Sequence, residues 1–145
     1  MGATNMTCRF PISHQNPAMD YLWIALGSAL GGMARHGVAV AAADRFGSTL
    51  PWGTLVVNVV GSFSIGFLAS LAAAGRAPFD AIATQRFLMV GLLGGFTTFS
   101  SFSLQTLQLF EQGQRGSAMG NVVVSVALCL VGVWLGTRIG RVLAG

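Results

Sequence analysis

The hydrophobic residues of this chain fall in four long blocks separated by short polar stretches. They do not follow the strict alternation of a half-buried strand or the one-sided periodicity of a surface helix. The blocks cover about residues 21–43, 53–74, 87–110 and 118–136. Each is long enough for an α-helix that crosses a bilayer, which needs about 20 residues. The pattern predicts an all-α membrane protein with four transmembrane helices.

The segments between the blocks are too short to hold a second domain; they cover residues 44–52, 75–86 and 111–117. Residues 1–19 are polar and lack the apolar stretch of a signal peptide. We expect them to form a disordered tail, and residues 20–145 to form one four-helix transmembrane domain. Met19 directly precedes the first block, so the choice between Met1 and Met19 as the start stays open.

Composition supports the membrane assignment and excludes several functions. The chain is 53% hydrophobic and 8% charged, whereas a soluble domain has about 25% charged residues. Its net charge of +4 comes from scattered arginines without a basic cluster, which argues against nucleic-acid binding. Cys8 and Cys129 lack the number and spacing of a disulfide framework or a zinc site. No catalytic triad, metal cluster or carboxylate pair falls within the blocks, so an enzyme is not expected.

The arginines are distributed almost evenly between the two sides that four spans would create. Five lie on the side of the N-terminus and three on the other, or four against three if the chain starts at Met19. Lys/Arg asymmetry normally sets the orientation of a membrane protein. Such a weak bias predicts insertion in both orientations and hence antiparallel dimers.

Glycines recur at helical spacing in three of the blocks: Gly27 and Gly31, Gly91 and Gly95, and Gly132, Gly136 and Gly140. Small residues four apart let helix backbones approach closely in a membrane. Two interpretations stay open for these faces, namely packing within the chain and a dimer interface.

Polar residues follow two of the blocks at intervals of four, which places each set on one helix face. The sets are Thr54, Asn58 and Ser62 in the second block, and Ser117, Asn121, Ser125 and Cys129 in the fourth. One such set is typical of a hydrogen bond between helices. Two sets in so small a protein favour a polar track for water or ions.

The third block contains a sequence that weakens a helix at its middle, GLLGGFTTFSSFS over residues 91–103. Paired glycines followed by β-branched threonines disfavour helix. A break inside the membrane is tolerated only where protein or a wet cavity satisfies the backbone. Freed carbonyls there suit a cation, and a half-helix N-terminus suits an anion. Phe99 and Phe102 share a face, either as a core stripe or with their ring edges toward an anion.

Residues 91–103 resemble the GxxGGxTTFSxFS signature of the fluoride-specific channels of the Fluc (CrcB) family. Residues 31–35, GGMAR, resemble the GGxxR element of that family's first helix. Residues 53–62, GTLVVNVVGS, resemble the GTLxVNxxGS element of its second helix. The three motifs occur in order and extend over most of residues 21–140.

The resemblance implies a dual-topology homodimer of two antiparallel four-helix subunits in lipid, with two fluoride pores. It also implies a central structural sodium ion held by the backbone carbonyls of Gly94 and Thr97. The expected function is passive export of fluoride across a cell membrane, expected to be the bacterial inner membrane, which reduces fluoride toxicity.

The resemblance further assigns residues to the fluoride pathway: Asn58 as a donor, Phe99, Phe102 and Ser100 beside it, and Asn121 and Ser125 as a polar track. Asn121 and His36 stand where many family members have tyrosine. Arg35 is expected near a vestibule, either attracting anions or tying helices together.

Two other classes of membrane protein fit the pattern less well. A proton-coupled multidrug transporter needs a carboxylate within the membrane, and the only glutamate, Glu111, lies at the end of a block. A structural subunit of a larger complex would have no use for two polar tracks and a broken helix.

Overall fold

A computed structural model describes residues 17–47, 49–79 and 81–145 of the chain. Within these residues it contains helices and no strands. The elements are α1 (Pro17–Phe46), α2 (Trp52–Ala73), α3 (Ile82–Gln85), a π-helical segment (Arg86–Leu93), α4 (Gly94–Phe96), α5 (Phe99–Glu111) and α6 (Arg115–Ala144). The chain is therefore an all-α protein, as its hydrophobic pattern predicts.

The first helix begins at Pro17, earlier than the expected boundary after residue 19. Proline suits the first helical position because its φ is already helical and its missing N–H would have no partner there. The remainder of the predicted tail, residues 1–16, lies outside the described residues.

Three helical stretches are long and apolar enough to cross a membrane: Trp52–Ala73, Ile82–Glu111 and Arg115–Ala144. In the most apolar 18-residue stretch of each, only 28%, 28% and 17% is buried within the chain. The predicted first span lies in α1, which has 30 residues. Arg35 and His36 lower its hydropathy, and it does not reach the level of the other three. These helices make the chain a multi-pass membrane protein.

Glycine faces pack the helices against one another within the chain. A Cβ added at Gly31 of α1 would collide with the Leu92 carbonyl oxygen of the π-helical segment. One added at Gly136 of α6 would collide with the Phe63 carbonyl oxygen of α2. Close backbone approach of this kind is what small residues permit in membrane helices. The glycine faces therefore serve intrachain packing, one of the two interpretations left open by the sequence.

The third hydrophobic block forms several short elements in place of one helix. The backbone is π-helical from Arg86 to Leu93, a feature that the sequence pattern does not predict. Gly94 and Gly95 are helical, and the helix is interrupted after them. Thr97 and Thr98 have extended backbones, with ψ values of 158° and 117°, and α5 starts at Phe99. We call this two-residue gap the interruption.

An ion pair fixes the beginning of the π-helical segment to the first turn of α1. The Arg86 guanidinium lies 3.0 Å from the Asp20 carboxylate. Both side chains are largely covered, with exposed fractions of 12% and 24%. Trp23 and Phe87 contact edge to face beside the pair, with ring centroids 6.4 Å apart. The ion pair and the ring contact together hold the segment that leads into the interruption.

Candidate functional site

The two threonines of the interruption satisfy the helix ends on either side of it. The Thr97 N–H and the Thr97 hydroxyl both donate to the Leu93 carbonyl, each at 3.0 Å. The Thr98 hydroxyl oxygen accepts from the Ser101 N–H at 3.2 Å and so caps the N-terminus of α5. Polar side chains at such positions replace the hydrogen bonds that a helix end lacks. One threonine thus ends a helix and the next begins another.

Asn58 of α2 pairs with the backbone of Thr98 through both ends of its amide. Its Oδ1 accepts from the Thr98 N–H at 2.8 Å, and its Nδ2 donates to the Thr98 carbonyl at 3.0 Å. This pair of hydrogen bonds with the extended backbone of Thr98 stabilises the interruption. A primary amide has two N–H groups, so one of them remains for another acceptor.

These hydrogen bonds also leave two backbone carbonyl groups without their usual helical N–H donors. In a continuous α-helix the Thr98 N–H would donate to Gly94, and the Ser101 N–H would donate to Thr97. Here these two N–H groups bind Asn58 Oδ1 and Thr98 Oγ1. The Gly94 and Thr97 carbonyls, which the family resemblance assigns to sodium, are therefore the ones whose usual donors are engaged elsewhere.

An apolar cavity of about 400 Å³ lies beside the interruption, and we call it the aromatic cavity. Phe99 and Phe102 line it with their ring centroids 5.4 Å apart. Phe102 is 9% exposed, whereas Phe99 is 77% exposed. Both polar sets reach this cavity, together with the two carbonyl-bearing residues; the members are Asn58, Ser62, Gly94, Thr97, Ser125 and Cys129.

Two further cavities, of about 340 and 260 Å³, share lining residues and form a polar recess that we call the vestibule. Their shared residues are Ala39, Gly53, Thr54 and Gln105. The inner part is lined by Arg35 and His36, and it reaches Thr98. Since Thr98 also lines the aromatic cavity, the Asn58–Thr98 pair stands between the two spaces.

Arg35 has no carboxylate within ion-pair distance among the residues that the structure describes. Both roles expected for Arg35, attracting anions and tying helices together, stay predictions. Ser100 is exposed, and its hydroxyl lies 3.2 Å from the Thr98 hydroxyl. Ser100 is not among the residues that line the aromatic cavity or the vestibule.

Comparison of the sequence with known proteins places the chain in a family. Residues 22–137 match the family model described as CrcB-like protein, Camphor Resistance (CrcB). The chain belongs to the CrcB-like family. A relative in Opitutus terrae named fluoride-specific ion channel FluC is 58% identical over 80% of this chain and 88% of its own.

Other relatives of this CrcB-like chain carry the same name. The one in Methylocella silvestris is 54% identical over 81% of this chain and 90% of its own. The one in Rhodospirillum rubrum is 49% identical over 86% of this chain and 96% of its own. The likeness thus extends over nearly the whole length of each relative.

The polar track of α6 is divided between two places in this CrcB-like chain. Ser125 and Cys129 line the aromatic cavity. Ser117 and Asn121 line a separate space of about 210 Å³ beside Leu50 and other residues at the start of α2. The structure therefore brings Asn58, Phe99, Phe102 and Ser125 together but leaves Asn121 one helical turn away from the aromatic cavity.

Sequence reasoning assigned no individual site role to three residues that place polar groups in or near the site: Thr98, Gln105 and Thr106. Thr98 has a sequence signal, since threonine is a preferred N-cap residue directly before a helix. Gln105 is revealed only by the fold, where its Oε1 is buried without a partner among the described residues and its side chain lines the vestibule. Thr106 is noticed only through its contact with Asn121 across two helices.

Proposed function

We propose that this protein is a fluoride-selective ion channel that conducts passively across the cell membrane. Family membership and the name of its relatives support the assignment. The observation that carries it is the pairing of Asn58 with Thr98, which holds a helix interruption beside Phe99 and Phe102. Such a pathway exports fluoride and lowers its toxicity in the cell.

The chemistry along the proposed route suits a small, strongly hydrated anion. Such an ion needs hydrogen-bond donors or positive dipoles to replace water. The spare N–H of Asn58, the hydroxyl of Ser125 and the edges of the two phenylalanine rings offer these without a formal charge. Arg35 in the vestibule attracts anions toward the entrance. Conduction requires sites that an ion can enter and also leave, and neutral donors meet that condition.

The proposed assembly is an antiparallel homodimer of subunits that each cross the membrane four times. α1 supplies the fourth span, since its 30 residues exceed the length needed. An interruption at membrane depth must be covered by protein or line a wet cavity. The 77% exposure of Phe99 beside it leaves a face for a second copy to cover. The nearly even distribution of arginines allows both orientations.

A structural sodium ion at the dimer interface is part of the proposal. The Gly94 and Thr97 carbonyls fit it, because their usual helical donors bind Asn58 and Thr98 instead. Unwound backbone carbonyls are the ligands that sodium finds in membrane proteins. When bound, the ion supplies a positive charge that offsets the cost of bringing an anion into a low dielectric. The proposed location is the bacterial inner membrane.

The experiment that tests the function is ion efflux from liposomes that contain the purified protein. Fluoride-loaded and chloride-loaded vesicles are compared, with protein-free vesicles as the control. We expect fast loss of fluoride when a potassium ionophore permits charge balance, and retention of chloride. Loss of both ions would contradict selectivity. Retention of both by protein shown to be folded and dimeric would contradict the channel.

A further inference from the structure

Thr106, one turn beyond Phe102 on α5, connects that helix to Asn121 of α6. Its hydroxyl donates to the Phe102 carbonyl at 2.7 Å. The same hydroxyl oxygen receives the Asn121 amide, with Nδ2 also at 2.7 Å. Both side chains are partly buried. Thr106 thus lies between the backbone of a cavity-lining phenylalanine and a residue of the polar track.

The direction of these bonds follows from the chemistry of the groups. A backbone carbonyl can only accept, so the single hydroxyl hydrogen of Thr106 is used on Phe102. Toward Asn121 the Thr106 oxygen can then only accept. Asn121 must present its NH2 group to it, which determines the orientation of an amide whose two ends look alike in shape. The Asn121 oxygen is consequently turned the other way.

On that other side lies Ser125, which lines the aromatic cavity and is 6% exposed. Its hydroxyl donates to Asn121 Oδ1 over 3.4 Å, a long bond. Because the bond is long, the Ser125 hydroxyl can turn toward an anion at small cost. The chain of contacts therefore ends in a donor that faces the cavity.

We infer that Thr106 is a positioning residue for the anion pathway, which it serves by setting the orientation of the Asn121 amide. The inference rests on the proposed function. An anion can only accept hydrogen bonds, so it needs donor groups along its route. A rotation of this amide by half a turn would exchange the positions of its oxygen and its NH2 group along the track. The rotated amide would turn its NH2 group toward Ser125 and its oxygen toward the Thr106 oxygen, so that two acceptors would face each other and the bond that holds Asn121 to α5 would be lost.

The inference is tested by fluoride efflux from liposomes with variants of Thr106, each shown to be a single dimeric species by size exclusion. Thr106→Val keeps the shape and removes the hydroxyl, and we expect it to lower the efflux rate by at least about threefold, the order of one lost hydrogen bond. Thr106→Ala should give the same loss if the valine variant does not fold. Thr106→Ser, the matched control, should restore most of the rate because it keeps the hydroxyl.

A double-variant comparison separates positioning from simple packing. In an Asn121→Ala background, where no amide is left to orient, Thr106→Val should cause no further loss. Further loss there, or equal loss in Thr106→Ser, would overturn the positioning role, as would a full rate in both hydroxyl-free variants. If wild-type protein measured alongside passes no fluoride, the proposed function itself fails, and the inference fails with it.

Discussion

The side chain of Asn58 in α2 forms two hydrogen bonds with the backbone of Thr98, 40 residues away in sequence. The Asn58 amide offers one donor and one acceptor, as a peptide group does, and the Thr98 backbone is extended. The two groups therefore pair as the backbones of neighbouring β-strands do. A helix interruption in an apolar environment needs such a partner, since an unpaired backbone group there costs several kcal/mol by general estimates. Asn58 thereby stabilises the interruption and retains one N–H for the cavity.

Replacement of Asn58 by aspartate should abolish fluoride transport. The carboxylate still accepts from the Thr98 N–H, but its second oxygen faces the Thr98 carbonyl and its charge repels an anion. We expect an efflux rate below about a tenth of wild type, which corresponds to about 1.4 kcal/mol. The rate is measured in liposomes with protein shown to be dimeric. A normal rate would mean that Asn58 serves packing alone.

Replacement of Phe99 or Phe102 by isoleucine should reduce fluoride efflux, because the aliphatic side chain has no positively polarised ring edge. The two variants should differ in stability. Phe102 is buried and its substitution should cost roughly 1 kcal/mol or more, whereas Phe99 is exposed in the single chain. Efflux and thermal unfolding in detergent are measured on the same samples. An unchanged rate in both variants would contradict the role of the aromatic cavity.

Silver ions should block transport through Cys129. Its thiol lines the aromatic cavity with Phe99 and Phe102, and soft cations bind thiolates strongly. The chain has one other cysteine, Cys8, which provides the matched control. Cys8→Ala should remain sensitive to silver in the efflux assay and Cys129→Ala should become resistant. Block that persists in Cys129→Ala would contradict an action of silver through this thiol.

Alanine at Gly31 should destabilise the fold, whereas alanine at Gly37 on the same helix should not. A Cβ at Gly31 collides with backbone atoms of Leu92 and Phe96, while nothing lies within 4 Å of one at Gly37. Overpacking of this kind costs about 1–3 kcal/mol. Thermal unfolding in detergent compares the two variants. Equal stability would show that α1 can move away from the π-helical segment without loss.

Preparation of the protein without sodium should lower its stability and its fluoride efflux rate. An ion that binds only the folded state stabilises it by about 2.7 kcal/mol at a hundredfold excess over its dissociation constant. Samples purified throughout in sodium, potassium or N-methylglucamine salts are compared by thermal unfolding and efflux. Equal behaviour in all three would contradict a sodium site at Gly94 and Thr97.

Much of the architecture is predictable from local sequence, because helices in a membrane are long runs of apolar residues whose backbone bonds close within the segment. The residues at which the helices end are less predictable. α6 continues to Ala144, well beyond residue 136, and Arg138 of this extension lies over the ring of Trp134. The sequence predicts a break at the paired glycines and the threonines that follow them. The interruption lies at Thr97 and Thr98, while Gly94 and Gly95 stay helical.

The sequence by itself determined the membrane class, the helical spans, the two polar sets and the candidate residues at the third block. Each of these depends on residues within a few turns of one another. Only the tertiary structure decided which polar groups meet. Asn58 binds Thr98, and Asn121 binds Thr106 on another helix while Ser125 reaches the aromatic cavity. Periodicity places a side chain on a helix face, but its partner depends on how the helices pack, and close glycine contacts between distant segments set that packing.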